Sequence, residues 1–276
     1  MKLATGHPVL HFGRIDSTNA EARRLADAGE RGPLWIWADA QSGGRGRMGR
    51  QWVSEPGNLY ATFLFSIAAG PEVAAQVSFV AALAVTDAVT AIAPHFTPRI
   101  KWPNDVLIGG AKFCGVLPEA VGTAPTRIAI GCGVNVNHAP KGTPYPVTCL
   151  ISPPPRGEGL GVGGGCRNSG LPPPPPLPTR GRGVDVESVL RELDTNLSHR
   201  LKMWDEGQGF AAIREAWSER AFGLGGAVSS GADHGTFAGI AADGALIMLC
   251  AGGSLKHIHS GEVQFAELER MRQIAR

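Results

Sequence analysis

Between residues 151 and 184 the sequence abandons every pattern on which a packed core depends: proline, glycine and serine crowd together, and residues 172–176 are unbroken proline. Proline lacks a backbone donor and fixes φ, and a stretch this poor in large apolar side chains cannot offset the entropy of ordering. The segment is therefore expected to be a disordered or polyproline II insertion. The folded part of the 276 residues must be assembled from what lies on either side. An inert surface insertion is the simplest reading, because loop closure costs little extra as a loop lengthens. A tract that docks on a proline-recognising domain is the alternative.

On the amino-terminal side, Thr18-Asn19-Ala20-Glu21 has the form of a capping box, predicting a helix to about residue 28 with Ala22 and Leu25 facing inward. Residues 34–38 read as a strand. Residues 58–67 alternate and then turn continuously apolar, as a buried strand does, and 72–92 has the composition of a core helix. A short strand at 99–102 is stopped by Pro103. Residues 106–117 form a hairpin about Gly109-Gly110, and 127–133 is a further strand. Strands and helices are mixed without βαβ alternation, which predicts an α+β fold with a mainly antiparallel sheet.

Beyond the insertion, Val189, Leu193, Leu197 and Leu201 recur every four residues along a helix over 185–204, and 210–222 is a second amphipathic helix. After Gly223 short strands and turns predict a small β-barrel. The expected division is a catalytic domain over 1–222, interrupted at 151–184, and a small domain over 223–276.

With 43% apolar residues the chain has enough for a full core, and its net charge of +2 leaves no general basic face for nucleic acid. The apolar run around 60–69 is too short for a membrane span, and the first residues lack the apolar centre of a signal peptide, so the cytoplasm is expected. Five cysteines without C-x-x-C spacing indicate neither a disulfide framework nor a zinc site. Cys114 and Cys132 fall in apolar runs, where a thiol serves as a small hydrophobe.

Two constellations carry chemistry. The first is Gly44-Arg45-Gly46-Arg47-Met48-Gly49-Arg50-Gln51-Trp52, in which glycines let the backbone approach a ligand, three guanidinium forks suit carboxylate or phosphate, and the indole can cover a flat ring. It contains a literal G-x-G-x-x-G. Residues 53–58 are a turn sequence, however, and a dinucleotide site requires a helix there. The second is Lys101-Trp102-Pro103-Asn104-Asp105 with Lys112. If the hairpin turn has two central residues, Leu107 lies opposite Lys112, and Asp105 and Lys112 share a face. Lys112 either meets an anionic ligand or snorkels to solvent. Asn135 and Asn137 follow a glycine-bracketed strand end, where an amide can read an adenine edge or close a turn. No G-x-x-x-x-G-K-[ST] phosphate loop is present, so the arginine loop would have to hold a nucleotide.

Gly44 to Trp52, Lys101 to Asp105, Lys112 with Gly115, and Gly133 to Asn135, in this order, resemble the biotin protein ligase family. The likeness covers about 10–145 and resumes over about 185–265. It implies a class II synthetase-like biotin/lipoate ligase core with an SH3-like carboxy-terminal barrel. It also implies a two-step reaction in which biotin and MgATP give biotinyl-adenylate, and a lysine of a biotin carboxyl carrier protein, such as that of acetyl-CoA carboxylase, takes the biotinyl group.

Carried onto this sequence, the resemblance gives Ser17, Thr18, Asn19, Gln41, Gly44, Arg45, Lys112 and Gly115 to biotin. It gives Arg45, Arg47, Arg50, Trp52, Lys112 and Asn135 to ATP and the adenylate. Lys112, Arg47 and Asp105 would be catalytic, and Mg2+ would come with ATP, Asp105 helping to place it or the carrier lysine. No helix-turn-helix precedes residue 10, so DNA binding is not expected, and a monomer and a homodimer are both compatible. The rivals are a lipoate or octanoate ligase of the same fold and, from another class, an RNA-binding protein using the arginine–glycine loop.

Overall fold

The computed structural model describes residues 3–123, 125–151 and 184–274. The insertion expected over 151–184 thus lies almost wholly outside the described residues. A parallel pair, β1 (Val9–Ile15) and β2 (Leu34–Gln41), is joined through α1 (Thr18–Asp27). β3 (Leu59–Ile67), β4 (Arg99–Lys101), β5 (Asp105–Ile108), β6 (Ala111–Thr123) and β7 (Thr126–Val134) complete a seven-stranded sheet ordered β1-β2-β3-β7-β6-β5-β4. Every pairing beyond β1–β2 is antiparallel, as the sequence predicts.

Both faces of the sheet are covered, which explains why β3 reads as continuously apolar. Leu59, Ala61, Phe63, Phe65 and Ile67 join the main core with α2 (Val77–Ile92) and α3 (Val186–Trp204). Leu64 points the other way, into a smaller cluster with Ala22 and Ala26 of α1. A helix apolar around its whole circumference must be enclosed. The stretch Pro71–Ile92 is long and apolar enough to cross a membrane, but here it is the central core helix, with Val77, Val80, Leu83 and Ala84 fully buried.

Three element boundaries differ from expectation. Ser17, not Thr18, caps α1, its hydroxyl accepting from the Ala20 amide at 3.4 Å, so Thr18 is freed for other bonds. A 3-10 turn over Pro71–Gln76 precedes α2. The helix expected over 210–222 is α4 (Phe210–Glu219); its last residues instead run beside β4, where the Ile100 amide donates to Arg220 O and the Phe222 amide to Ile100 O, both at 2.8 Å.

β8 (Ala227–Ser230), β9 (Asp233–Ile240), β10 (Leu246–Cys250), β11 (Leu255–Ile258) and β12 (Gln264–Phe265) form an antiparallel sheet ordered β11-β10-β9-β8-β12. The helix α5 (Ala266–Ile274) follows, which the sequence reading missed. This module is fastened to the larger sheet. Trp102 Nε1 donates to Gly244 O at 3.1 Å, and Phe237, Met248 and Phe265 belong to the same apolar cluster as Ile100 and Trp102.

Two charge clusters, one half-buried and one buried, hold the helices in place. Asp87 on α2 accepts from Arg200 Nε of α3 at 2.7 Å and pairs with Arg220 at 2.9 Å. Asp194, 1% exposed, accepts from Trp35 Nε1 at 2.8 Å and contacts His7 Nδ1 at 2.6 Å and the Thr5 hydroxyl. A carboxylate buried so deeply is tolerated because its acceptor capacity is used.

Candidate active site

The antiparallel register aligns one row of residues across the large sheet. Tyr60 pairs with Gly133, Gly133 with Gly115, Gly115 with Asp105, and Asp105 with Lys101. Residues so paired project from the same face. This is the α1 face, and here the row, with Gly131 beside it, lines a cavity. The glycines leave the floor flat. A Cβ on Gly131 would meet Asn19 Oδ1 at 2.2 Å, and one on Gly133 would meet the Trp52 indole at 2.6 Å.

A network of polar side chains, anchored outside the cavity lining on the Glu119 carboxylate, closes one end. Gln41 Oε1 accepts from the Thr18 amide at 2.8 Å and the Thr18 hydroxyl at 3.1 Å. The Thr62 hydroxyl lies 2.8 Å from Thr18 Oγ1 and 2.6 Å from Asn19 Oδ1, and Asn19 Nδ2 donates to Glu119 at 2.7 Å. Gln41 Nε2 donates to the Ser54 hydroxyl at 2.9 Å, which donates in turn to Trp52 O at 3.0 Å. Buried polar groups bonded in this way hold fixed positions, so Ser17, Thr18, Asn19 and Gln41 present an ordered polar wall to the cavity.

The arginine loop folds back on itself above the floor. The Trp52 amide donates to Gly44 O at 2.9 Å and the Gly46 amide to Arg50 O at 2.7 Å. Gly44 sits at the base, not on the cavity wall. A Cβ there would meet Trp52 O at 2.5 Å and Ser54 Oγ at 2.6 Å, so its place is set by the loop's closure. Trp52 lies across Gly115 and Gly133, and its buried indole N–H has no partner among the described residues.

Lys112 meets Asp105 at 2.7 Å. The turn has its two central glycines, with Ile108 opposite Ala111 and Leu107 opposite Lys112, so the shared face inferred from spacing is present. The ammonium also stands 5.2 Å from the Trp52 ring centroid and 5.6 Å from that of Tyr145, in the range of cation–π attraction. Arg47 approaches Asn104 Oδ1 at 3.4 Å, and burial holds its pKa below the usual value, with Asp105 opposing. Arg50 pairs with Glu262 at 2.9 Å, linking the loop to the carboxy-terminal module.

Six cationic side chains line the cavity, namely Arg45, Arg47, Arg50, Lys101, Lys112 and Arg272, against two carboxylates, Asp105 and Glu262. Such a surplus in a half-enclosed space attracts a multiply charged anion. Among the described residues no cluster of three or more His, Cys, Asp or Glu could hold a metal. Cys114 and Cys132 are buried thiols, and burial pushes Cys132 up to about 12 and Cys114 well above its usual value. Neither supplies a thiolate nucleophile near neutrality.

The structure thus brings together Ser17, Thr18, Asn19, Gln41, Arg45, Arg47, Arg50, Trp52, Asp105, Lys112 and Gly115 at one cavity. Gly44 and Asn135 stand outside its lining. Asn135 is buried, its Nδ2 donating to Thr148 O at 3.1 Å. Sequence reasoning overlooked Tyr60, Thr62, Tyr145, Glu262 and Arg272. Tyr60 and Thr62 were legible as the alternate face of β3, whereas Glu262 and Arg272 arrive through tertiary docking that no local pattern announces.

The model of the biotin/lipoate A/B protein ligase family matches residues 12–135, and that of the biotin protein ligase C terminal domain matches 231–266. The chain is 38% identical over 244 residues to a biotin--[acetyl-CoA-carboxylase] ligase of Paracoccus denitrificans, covering 86% of this chain and 92% of that protein. It is 26% identical over 265 residues to the bifunctional ligase/repressor BirA of Bacillus subtilis, 94% of this chain and 74% of the relative. Among solved structures, a biotin protein ligase from Aquifex aeolicus in complex with biotin and ATP has a TM-score of 0.70 at 26% identity, covering 94% of this chain and 98% of that one.

Proposed function

Since this chain belongs to the biotin protein ligase family, we propose that its cavity joins biotin to the α-phosphate of ATP and then passes the biotinyl group to a lysine of a carboxylase's biotin-carrier domain. The observation that carries this reading is the paired row Gly133–Gly115–Asp105–Lys101, a flat floor leading from a neutral polar wall to a surplus of cations. That order suits a ligand neutral and hydrogen-bonding at one end and anionic at the other.

On this reading Ser17, Thr18, Asn19 and Gln41 hold the ureido ring. Its carbonyl and N–H groups need both donors and acceptors, and the wall supplies them. Gly115 and Gly133, lacking side chains, let the Trp52 indole lie directly against the floor, from which it covers the adenine side. Asn135 contributes from behind the wall, its amide orientation fixed by Thr148. Gly44 keeps the base of the arginine loop narrow while Arg45 closes over the ligand.

The first step joins two anions. A biotin carboxylate oxygen attacks the α-phosphorus, the bond to the β-phosphate breaks, and pyrophosphate leaves with the electron pair. Lys112 stands where it can bond both the carboxylate and the α-phosphate, while Arg47 and Arg50 face the phosphates. Fixed donors placed where charge develops lower the barrier without reorganising during the reaction. In the second step a carrier lysine attacks the acyl carbon and AMP departs, with Asp105 positioning the incoming amine or the metal–nucleotide.

Magnesium enters as part of the ATP substrate. Of the two cavity carboxylates, Asp105 is engaged by Lys112 and Glu262 by Arg50, so phosphate oxygens would supply most of the ion's ligands. The catalytic module is assigned to 1–222 and the SH3-like module to 223–276. The test is transfer: with biotin and MgATP, a purified carrier domain should gain one biotin at a single lysine. Lipoylation or octanoylation of the carrier in preference to biotinylation would move the chain to the sister activity.

A further inference from the structure

Glu119 stands outside the cavity lining, on the same face of β6 as Gly115 and Leu117, which belong to it. One carboxylate oxygen accepts from Asn19 Nδ2 at 2.7 Å, and the other lies 4.0 Å from Arg23, an exposed side chain. Leu117 O accepts from the same Asn19 nitrogen at 3.1 Å. An ionised carboxylate and a backbone carbonyl can only accept, so together they settle which end of the Asn19 amide turns toward β6. Its oxygen then faces inward, into the space that Gly131 leaves by having no Cβ.

That orientation settles the protons further in. Thr62, fully buried, has one hydroxyl proton and two oxygen neighbours, Asn19 Oδ1 at 2.6 Å and Thr18 Oγ1 at 2.8 Å. An amide oxygen cannot donate, so the Thr62 proton goes to Asn19. The Thr18 hydroxyl is left between two acceptors, Thr62 Oγ1 and, at 3.1 Å, Gln41 Oε1, whose role the Thr18 amide fixes at 2.8 Å. With either partner its proton stays within the network. Thr18 lines the cavity, so it meets a ligand through lone pairs alone.

We propose that Glu119 is a positioning residue for biotin: through Asn19 and Thr62 it makes Thr18 Oγ1 solely an acceptor, and so selects an acid that carries an N–H at that point. The inference rests on the biotin reading above and adds to it a residue that touches no substrate. Hydrogen bonds in series polarise one another, so the carboxylate's charge strengthens Thr18 as an acceptor across the three contacts. With the Asn19 amide reversed, its nitrogen would donate to Thr62 and Thr62 to Thr18, and one lone pair of Thr18 would be lost to the ligand.

The experiment compares wild type, Glu119→Ala, Glu119→Gln, Thr62→Val and the double variant of Glu119→Ala with Thr62→Val. Biotin binding is followed by calorimetry and adenylation by steady-state kinetics. Glu119→Ala should weaken biotin binding about five- to tenfold, less than a charged hydrogen bond at full strength because the carboxylate is partly exposed. KM for ATP and kcat, both at saturating biotin, should stay within twofold. Glu119→Gln, whose amide oxygen still accepts from Asn19, should recover part of the loss. The double variant should bind biotin no more weakly than Thr62→Val alone, since both residues lie on one relay. In the ligand-free protein, NMR should find the Asn19 side-chain amide protons slow to exchange in wild type and fast in Glu119→Ala. A lowered melting temperature with ATP and biotin weakened together would make Glu119 merely structural and overturn the proposal. So would biotin affinity within twofold of wild type in folded Glu119→Ala, or additive losses in the double variant. Unchanged exchange at Asn19 overturns the relay whatever acid the site binds, whereas failure of wild type to bind biotin overturns the reading beneath it.

Discussion

Gly133→Ala is a one-carbon change whose effect follows from a single distance. The added Cβ would lie 2.6 Å from Trp52 Cε2 and Nε1, whereas ordinary contact begins near 3.4 Å, so the indole must retreat by about 1 Å. Gly133 is a paired residue of β7 beneath a loop side chain, and the loop yields more easily than the strand. The cost in stability should therefore be small, about 1 kcal/mol or less. The cost in activity should be large, because Trp52 lies over the floor and within 5.2 Å of Lys112. A displacement of 1 Å at a reacting site costs on the order of 100-fold, equivalent to about 2.7 kcal/mol of barrier. Gly13→Ala is the control, since its Cβ would meet nothing within 4 Å. The assay is single-turnover adenylation alongside thermal melting. Wild-type adenylation by Gly133→Ala would refute the claim that the glycine floor sets the position of Trp52 and the ligand.

Lys112→Ala should slow adenylation by about two to three orders of magnitude, as removal of one preorganised donor does, and single-turnover quench measurements will read it. Asp194→Ala should destabilise the fold by about 3 kcal/mol, because Trp35 and His7 lose a buried partner; denaturant melts measure this, with activity per folded molecule unchanged. Burial depresses the pKa of Lys101, which places the loss of its charge below the ordinary lysine range. The same depression means that the unfolded chain binds the proton more tightly, so this group's contribution to stability increases as pH rises through the folded-state value. Replacing residues 152–183 by a short glycine–serine linker should preserve adenylation, and a folded but inactive deletion would contradict the reading of that segment as an inert insertion.

Much of the site was legible because strand alternation and a two-glycine turn leave few choices. Gly109-Gly110 sets Leu107 opposite Lys112, and Asp105 shares that face, although a register shift between Val106 and Leu107 brings Gly115 rather than Cys114 opposite Asp105. The α+β class followed in the same way from unbroken apolar runs and the absence of βαβ rhythm. Other features depend on distance in space. Ser17 displaces Thr18 as cap because Thr18 is drawn into bonds with Gln41 and Thr62, partners 23 and 44 residues away. Gly44 and Asn135 carry the right residue types, yet packing places one at the loop's base and the other behind the wall. The largest omission was α5, whose Leu268, Met271 and Arg272 make sense only once the terminal helix is docked on Gly110.

The central claim, that this cavity activates biotin through ATP, is tested most directly by mass spectrometry of the small molecules formed when the protein is incubated with MgATP and biotin, lipoate or octanoate. The account predicts biotinyl-adenylate and pyrophosphate from biotin, and no adenylate from the other two acids. Adenylate from lipoate or octanoate alone, or from none of the three, would contradict it.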